Sequence, residues 1–421
     1  MRIWPKRCND LRGGLGIVTI SFIIPAWNHY DLMLQCLDAI RAHADGVWEV
    51  VVVDNGSRPE EVDRLLRDAW WGSRERVRML ALEASGGQVP GNGMSERLAS
   101  DAWVSGGQLA KDRTPCDQAS VQSPDAWNRQ PPSLDPDHSL LLVRLPVNTG
   151  FSVAVNIGIR HARGDLLVLL NNDVLIEPGF TTAIRSAMSA HPAWLHAATK
   201  IRQFHQPDLL DDVGNALLPT GRAVKLGYAE RDADRYDTPA HGARILSACG
   251  AAAVYRRAFF EAVGLFDEDF FAYLEDVDLG LRAQRMGYPC GWIHDAVSRH
   301  IGSATTGSMK NAFTVRLLAR NQVSLLVKNL PGSLWLLLGL PIVCTMGAQW
   351  LKYALARNGN GKAYAAGLSE GVRVIGAMRA KRRVAKKGWI QSGMALMRMM
   401  RSGARAYRMS KKSRVRIGTG S

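Results

Sequence analysis

The chain has 421 residues, enough for one large domain or two ordinary ones, and its 47% hydrophobic and 22% charged residues are typical of a globular protein. The net charge is +15, but from Lys352 to Ser421 there are 18 Lys and Arg residues and one acid, whereas residues 1–351 carry 35 basic and 37 acidic residues. The basic character therefore belongs to a tail, and the near-neutral body argues against a nucleic-acid-binding domain.

The N-terminus and the cysteines indicate a cytosolic protein. The six cysteines are scattered, with no CxxC pair and no metal-ligand spacing, so we expect reduced thiols. Residues 1–16 are predicted to be an N-terminal extension. The stretch "MRIWPKRCNDLRGG" is basic but contains no apolar segment, so we expect no signal peptide.

Strand and helix patterns alternate from residue 17 onward. The run "IVTISFII" predicts a buried strand, residues 31–44 have the apolar spacing of a helix, and "WEVVVVDNGS" predicts a second strand. A helix over 60–71 follows, then the strand "SLLLVRLP", the helix "GFSVAVNIGIRHARG" ending at Gly164, and the strand "DLLVLL". This alternation predicts an α/β domain with a mostly parallel central sheet flanked by helices.

Residues 83–138 interrupt this pattern. They are rich in Gly, Ser, Pro, Gln and Asp, contain few aliphatic residues and show no lasting period. We interpret them as a flexible insertion in a domain that spans 17–330.

Polar residues end two of the predicted strands abruptly. In "LLVLLNNDVLIEPGF" the aliphatic run stops at Asn171, Asn172 and Asp173, and the second strand stops at Asp54. Ligands bind beyond the carboxyl ends of the strands in such sheets. Each motif alone is equally well explained as a turn, but together on one edge they favour a binding site.

A second acidic group lies in "FFAYLEDVDLGLRAQRMG". Glu275, Asp276 and Asp278 fall in the first turn of a predicted helix, where acids commonly serve as caps and solvated charges. The preceding aromatic run changes this interpretation, because apolar surroundings raise the pKa of a carboxyl group and suit it to act as a general base.

Five segments in this order resemble those of family 2 glycosyltransferases, most closely the rhamnosyltransferase-like and galactofuranosyltransferase-like group. They are "SFIIPAWNHYDLMLQCLDAI", "VVVVDNGS", "NTGFSVAVNIGIRHARGDLLVLLNNDV", "CGAAAVYRRAFFEAVGLFDEDFFAYLEDVDLGLRAQRMGY" and "SRHIGS". The resemblance spans residues 17 to about 330, apart from the insertion. It implies a GT-A fold, a Rossmann-like sheet that binds a nucleotide-sugar.

The resemblance also implies a donor and metal site. The donor-binding positions are Pro25, Asn28, Asp54, Asn148, Gly150, Asn156, Asn171 and Asn172, with Phe151 in the same wall. The "NND" segment stands where the family carries its DxD motif, so Asn171 replaces the first acid and Asp173 is retained. Asp173 and His300 would hold a divalent cation, Mg²⁺ or Mn²⁺, whereas His294 is expected to be structural.

The "LEDVD" segment resembles the family's catalytic one. By position Asp276 is the general base and Glu275 its neighbour, with Asp278 as a second candidate for the base. The implied reaction is a single displacement with inversion. The segment "ILSACGAAAVYRR" corresponds to the region beneath the acceptor, although its small residues are equally typical of a tightly packed strand.

The remaining chain, residues 331–421, is predicted to be a helical membrane-associated tail. Residues 329–351 carry no charge and have the length of a membrane span, but two prolines and several small or polar residues favour a helix lying on the membrane. Clusters such as "RAKRRVAKK" suit an anionic lipid surface on the cytoplasmic face. RNA binding is the weaker interpretation, because no aromatic residues interleave with the charges.

Together these features predict a metal-dependent, inverting glycosyltransferase on the cytoplasmic face of the cytoplasmic membrane. The resemblance favours dTDP-rhamnose as donor, with UDP-hexose or UDP-galactofuranose as alternatives, and a surface glycan or lipid-linked saccharide as acceptor. A non-catalytic scaffold of glycan assembly is the alternative from another class, because Asn171 removes one acid of the metal motif. No nucleic-acid partner is expected.

Overall fold

The computed structural model is built around one large β-sheet, whose strands lie between residues 20 and 300. The structure describes residues 18–68, 71, 77–84, 94–96, 139–232, 236–242, 245–302, 311–356, 359–385 and 388–414. The strands are Ile20–Ala26 (β1), Trp48–Asn55 (β2), Val77–Ala84 (β3), Met94–Glu96 (β4), Ser139–Leu145 (β5), Leu166–Leu170 (β6), Val174–Ile176 (β7), His196–Gln203 (β8), Leu210–Asp212 (β9), Asn215–Leu217 (β10), Ala223–Lys225 (β11), Ala252–Arg256 (β12) and Gly291–His300 (β13).

Helices flank this sheet and form the C-terminal part of the protein. They are Tyr30–His43 (α1), Pro59–Arg67 (α2), Phe151–His161 (α3), Phe180–Ala190 (α4), Pro239–Gly242 (α5), Arg257–Val263 (α6), Glu275–Arg285 (α7), Ala312–Asn329 (α8), Gly332–Leu355 (α9), Asn360–Arg373 (α10), Ile375–Ala385 (α11) and Gly393–Ser413 (α12).

The sheet order is β4-β3-β5-β2-β1-β6-β12-β8-β13-β7, with β9 paired to β8. Strands β3, β5, β2, β1 and β6 are mutually parallel, and β12 runs antiparallel to both β6 and β8. The predicted mostly parallel sheet is confirmed. Buried aliphatic and aromatic residues fill both faces of the sheet, since β1, β2 and β6 are covered by helices on either side.

Three element boundaries differ from the sequence prediction. Helix α2 ends at Arg67 rather than at 71, and α3 ends at His161 rather than at Gly164. Ala162 is already extended, and Gly164 packs on β1, where an added Cβ would lie 2.7 Å from Ser21 N. The third difference is at the insertion: β3 continues to Ala84, and residues 94–96 pair antiparallel with it. The rest of 85–138, like residues 1–17, lies outside the described residues.

The described part of the predicted C-terminal tail is helical, and glycines of its helices pack closely on α8 and β10. Gly367 of α10 lies so close to α8 that a Cβ would meet Arg316 O at 2.1 Å, and Gly403 of α12 lies on Ala216 of β10. Leu396, Met397 and Met400 of α12 share a buried cluster with residues of α7, α8 and α9. The described helices of the tail therefore pack in part against the sheet domain.

The thiols are consistent with the prediction of reduced cysteines. Cys36, Cys249, Cys290 and Cys344 are free, and Cys8 and Cys116 lie outside the described residues.

Candidate active site

The carboxyl ends of β1, β2 and β6 lie side by side, because β1 pairs in parallel with both neighbours and Ala26 stands opposite Asp54. Hydrogen bonds continue this edge through the loops. Asn172 Nδ2 donates to Asn28 O at 3.5 Å, and Asn28 N donates to Ser57 Oγ at 2.8 Å. The polar turns that follow these strands therefore form one connected rim.

Two residues predicted to bind the nucleotide-sugar, Pro25 and Asp54, are partly or fully buried in the sheet. Pro25 is half-buried and pairs with Val53 within the strands. Asp54 is fully buried: Oδ1 accepts a hydrogen bond from Ser57 N at 3.2 Å, and Oδ2 accepts one from Arg144 Nε at 3.4 Å. Contact between Asp54 and a nucleotide stays a prediction.

The "NTG" turn after β5 forms the next part of the rim. Asn148 Oδ1 accepts hydrogen bonds from Asn55 Nδ2 at 3.1 Å and from Gly150 N at 2.9 Å. Gly150 has φ +89°, and a Cβ there would lie 2.6 Å from the ring of Phe271. Glycine is therefore required both by the backbone conformation and by the close contact with the loop that precedes α7.

Asn156 does not line the rim directly. It is buried, and its side-chain amide donates to Phe266 O at 2.9 Å and to Glu268 Oε1 at 3.0 Å. Phe266 N in turn donates to Asn156 Oδ1 at 3.0 Å. Both amide hydrogens are used inside the protein, so Asn156 supports the wall from behind rather than binding the donor.

Asp173 and His300 meet where β13 pairs with β7. His300 Nε2 lies 3.3 Å from Asp173 Oδ1, and His300 Nδ1 lies 2.9 Å from Asp211 Oδ2. Burial alone would lower the pKa of His300, but these two carboxylates raise it to about 9. The predicted pair is thus brought together, whereas His294 is partly exposed beside Asp295.

The donor set at this point fits a hard divalent cation that is completed by a ligand. Asp173 supplies a carboxylate and His300 an imidazole, while Asn171 contributes no charge. Within the described ranges, no group of three or more His, Cys, Asp and Glu side chains is arranged to hold a metal by itself. Diphosphate oxygens would have to provide the remaining ligands.

The strands β9 to β11 supply residues that the sequence analysis did not single out. Lys225 Nζ lies 2.9 Å from Asp211 Oδ2, so Asp211 sits between a lysine and His300. Burial would raise the pKa of Asp211, but Lys225 and His300 hold it well below its usual range. The neighbouring Asp212 differs: burial raises its pKa to about 6 although Lys225 lies 3.9 Å away, and the charges of Asp211 and Asp276 add to the effect.

The candidate base Asp276 is held by backbone and amide donors. Asp276 Oδ2 accepts hydrogen bonds from Asn215 Nδ2 at 3.0 Å and from Gly250 N at 3.1 Å. Next to Gly250, Ala251 O accepts a hydrogen bond from Asn171 N at 2.9 Å. Residues 250 and 251 therefore connect Asp276 to the "NND" turn by backbone hydrogen bonds, as the prediction of a shared site requires.

The two acids that begin α7 have raised pKa values. Burial is the largest cause for both, and the charge of Asp276 adds to it for Glu275. Glu275 is buried, and its Oε2 has no hydrogen-bond partner among the described residues. A carboxyl group whose charge is poorly solvated has the proton affinity that a general base needs.

Asp278 is not a candidate base. It is fully buried, with Oδ2 accepting from Arg282 Nε at 2.9 Å and Lys328 Nζ at 2.7 Å, and Oδ1 accepting from Asn329 Nδ2 at 2.8 Å. Burial would raise the pKa of Asp278, but Lys328 and Arg282 lower it overall. The alternative left open by the sequence is therefore wrong: Asp278 is a structural anion without access to an acceptor.

The small-residue segment "ILSACGAAAVYRR" divides between its two interpretations. Residues 252–256 form β12 in the middle of the sheet, where small side chains serve packing. Gly250 instead lies against the site, where a Cβ would be 3.4 Å from Phe151 and 3.8 Å from Asp276 Cβ. The segment thus packs the core at one end and borders the candidate base at the other.

Two family models match the sequence across these elements. The model described as "Glycosyltransferase like family 2" matches residues 129–324, and "Glycosyl transferase family 2" matches residues 21–89. The chain belongs to glycosyltransferase family 2. This family 2 protein is a glycosyltransferase, and the predicted GT-A fold is confirmed.

Solved structures of glycosyltransferases resemble the enzyme at low identity. GalNAc-T7 with UDP, GalNAc and Mn²⁺ is 10% identical at a TM-score of 0.53, with 95% of this chain and 59% of that chain covered. Mannosyltransferase PcManGT from Pyrobaculum calidifontis, in complex with GDP-Man and Mn²⁺, is 16% identical at 0.41, covering 94% and 88%. S. aureus TarS 1-349 is 12% identical at 0.42, covering 93% and 91%. A comparison with curated proteins returned no match.

The different surroundings of Asp276 and Asp278 predict different effects of their substitution on stability. Asp278→Asn removes the carboxylate that Arg282 and Lys328 share, and Lys328 then keeps only Asp267, so we expect the free energy of unfolding to fall by about 3–5 kcal/mol. Asp276→Asn is the matched control. It removes a poorly solvated charge and should leave stability unchanged within about 1 kcal/mol or raise it. Urea unfolding of the three proteins measures both effects.

The pH dependence gives a second check. The folded pKa of Asp278 is lowered, so its contribution is present above the unfolded pKa of about 3.9 and is lost as the pH falls through the folded pKa. The gap between wild type and Asp278→Asn should narrow in acid. Equal stability of all three proteins at pH 7 contradicts the structural role of Asp278.

Proposed function

We propose that this glycosyltransferase inverts the anomeric centre of a nucleotide-sugar, with Asp276 as general base and a divalent cation at Asp173 and His300. The observation that carries the proposal is the placement of Asp276. Its carboxyl group has a raised pKa, is held by Asn215 and Gly250, and lies next to the "NND" turn.

The reaction is a single displacement. Asp276 takes the proton of an acceptor hydroxyl while that oxygen forms a bond to the anomeric carbon. The bond from this carbon to the nucleoside diphosphate breaks on the opposite face, and the electron pair leaves with the diphosphate. Asn215 Nδ2 and Gly250 N both donate to Oδ2 of Asp276, whereas Oδ1 accepts a single hydrogen bond, from Val277 N at 2.7 Å, so Oδ1 is the oxygen proposed to take the acceptor proton.

Asp173 and His300 are the side chains that would hold the cation. When bound, Mg²⁺ or Mn²⁺ supplies positive charge for the diphosphate of the leaving group. Asp211 accepts a hydrogen bond from the other ring nitrogen of His300, which fixes the orientation of the imidazole. One carboxylate is sufficient where substrate phosphates complete the coordination, so the Asn171 substitution is compatible with the proposal.

The donor lies against the rim formed by the loops after β1, β2, β5 and β6. The sequence resemblance favours dTDP-rhamnose, with UDP-hexose and UDP-galactofuranose as alternatives, and a surface glycan or lipid-linked saccharide as acceptor. The residues proposed to bind the donor are Pro25, Asn28, Asp54, Asn148, Gly150, Asn171 and Asn172.

We further propose that the enzyme works on the anionic cytoplasmic face of the cytoplasmic membrane. Helix α9 is long and apolar enough to span a bilayer, with a mean hydropathy of 1.6, and 17% of that apolar stretch is buried in the protein. Its buried residues form one stripe, Leu334, Leu338 and Ile342, whereas Leu336 is 92% exposed. A helix held by one stripe, with apolar residues on its remaining surface and basic helices beside it, suits a monotopic position.

Asp276→Asn should abolish transfer while donor binding persists, because the side chain takes the acceptor proton and does not hold the donor. Loss of a general base lowers kcat by about 10²–10⁴-fold. The donor is first identified by thermal shift with dTDP-rhamnose, UDP-hexoses and UDP-galactofuranose, each with and without Mn²⁺. Near-normal turnover of the variant removes Asp276 from the mechanism. A folded wild-type enzyme that no donor stabilises contradicts the proposed donor classes.

His300→Ala should weaken Mn²⁺ binding in the presence of donor, measured by calorimetry, because it removes one of two protein ligands. His294→Ala is the matched control, a histidine of the same strand that contacts Asp295 instead. We expect an affinity loss of at least about 10-fold for His300→Ala and none for His294→Ala. Equal affinities for both variants place the cation elsewhere.

Membrane binding is tested by flotation with vesicles of phosphatidylcholine and phosphatidylglycerol. The double variant Leu336→Gln/Leu340→Gln should reduce co-flotation, because these exposed leucines would otherwise enter the lipid. Val18→Gln, at an isolated exposed valine of the sheet domain, is the control. Unchanged flotation of the double variant contradicts membrane contact through α9.

A further inference from the structure

The turn that delivers the base has an unusual backbone. Phe271, Tyr273 and Leu274 have φ values of +60°, +68° and +70°, a backbone conformation that residues other than glycine rarely adopt. Leu274 directly precedes α7, and its carbonyl accepts the helical hydrogen bond from Asp278 N at 2.9 Å. Such a conformation persists only where neighbouring groups enforce it.

Asn321 of α8 enforces this turn. Its side-chain amide nitrogen lies 2.8 Å from each of three carbonyl oxygens, those of Phe270, Ala272 and Tyr273. The residue is fully buried, and Arg320 Nη1 donates to Asn321 Oδ1 at 3.2 Å. That contact fixes which end of the amide faces the turn, so the NH₂ group is directed at the carbonyls.

The same turn touches the donor side of the site. Phe271 O accepts a hydrogen bond from Ser152 N at 3.2 Å, and the Phe271 ring packs against Gly150. The turn therefore has fixed contacts at three places: residues 150–152, the first turn of α7 and Asn321. A displacement at Asn321 would be passed to Asp276, two residues beyond Leu274.

We propose that Asn321 is a positioning residue for the general base: by holding the left-handed turn 271–274, it sets the position and direction of the Asp276 carboxyl group. The inference rests on the proposed function, since it assigns Asn321 a role in the reaction that Asp276 performs. Asn321 touches neither substrate, so its effect falls on turnover rather than on donor binding.

The test is Asn321→Leu, which keeps the approximate size of the side chain and removes the amide donor shared among the three carbonyls. With the donor that the wild type uses, we expect kcat to fall between about 10- and 100-fold, as for a small misplacement of a catalytic group, while the donor KM stays within about 3-fold. Gln322→Leu is the matched control, because the adjacent buried side chain donates to Gly221 O instead of to the turn. It should keep kcat within about 2-fold.

A double variant separates positioning from general destabilisation. If Asn321 acts through Asp276, then Asn321→Leu/Asp276→Asn should be no slower than Asp276→Asn alone, because residues that act as a unit are not additive. Losses that multiply in the double variant overturn the inference, and so does an Asn321→Leu enzyme with wild-type kcat. A folded wild type that transfers no sugar contradicts the proposed function, whereas an active wild type with an unaffected Asn321→Leu contradicts this inference alone.

Discussion

Three carboxyl groups, those of Glu275, Asp276 and Asp278, enter the protein together at the first turn of α7, where water does not solvate them fully. The fold answers each one differently. Asp278 receives two cations and an amide, Asp276 receives three neutral N–H donors, and Glu275 is left with an oxygen that has no partner among the described residues. A buried charge is stable only where it is paired, so the partners decide which acid is an anchor and which keeps its affinity for a proton.

The ion pair between Asp278 and Lys328 is part of a network that reaches the C-terminal helices. Lys328 belongs to α8, and it also binds Asp267 at 2.6 Å, ahead of the turn that leads into α7. Lys381 of α11 binds the other oxygen of Asp267 at 2.5 Å. Helices beyond the sheet domain therefore hold the acidic loop from outside. One lysine of the basic tail, Lys381, is therefore used in ion pairs inside the protein.

The donor side depends on a different constraint, the parallel pairing of β1 with β2 and β6. Parallel strands end at one edge, so turns that are distant in sequence become neighbours without any direct attraction between their side chains. The opposite wall comes from β9 to β11, which present Asp211 toward His300 and Asn215 toward Asp276. The short β10–β11 hairpin thus contacts both the cation side and the base side. Asn215 at the start of β10 contacts Asp276, and Lys225 at the end of β11 contacts Asp211.

Much of this arrangement is readable from the sequence. Aliphatic runs that stop at polar turns determined the strands and the rim, and the order of five segments determined the family, because these signals are local or collinear. The pairing of Asp173 with His300 followed from motif order alone. Local patterns do not show which groups meet in the folded chain. Only the tertiary structure shows that Asp278 and Asn156 are internal supports and that the tail packs back on the sheet domain. It also brings residues of distant elements to the site or to the turn beside it, namely Asn215, Asp211 and Asn321. Each of these outcomes depends on which group occupies the space beside a buried polar atom, and that is fixed only when segments far apart in the chain pack together.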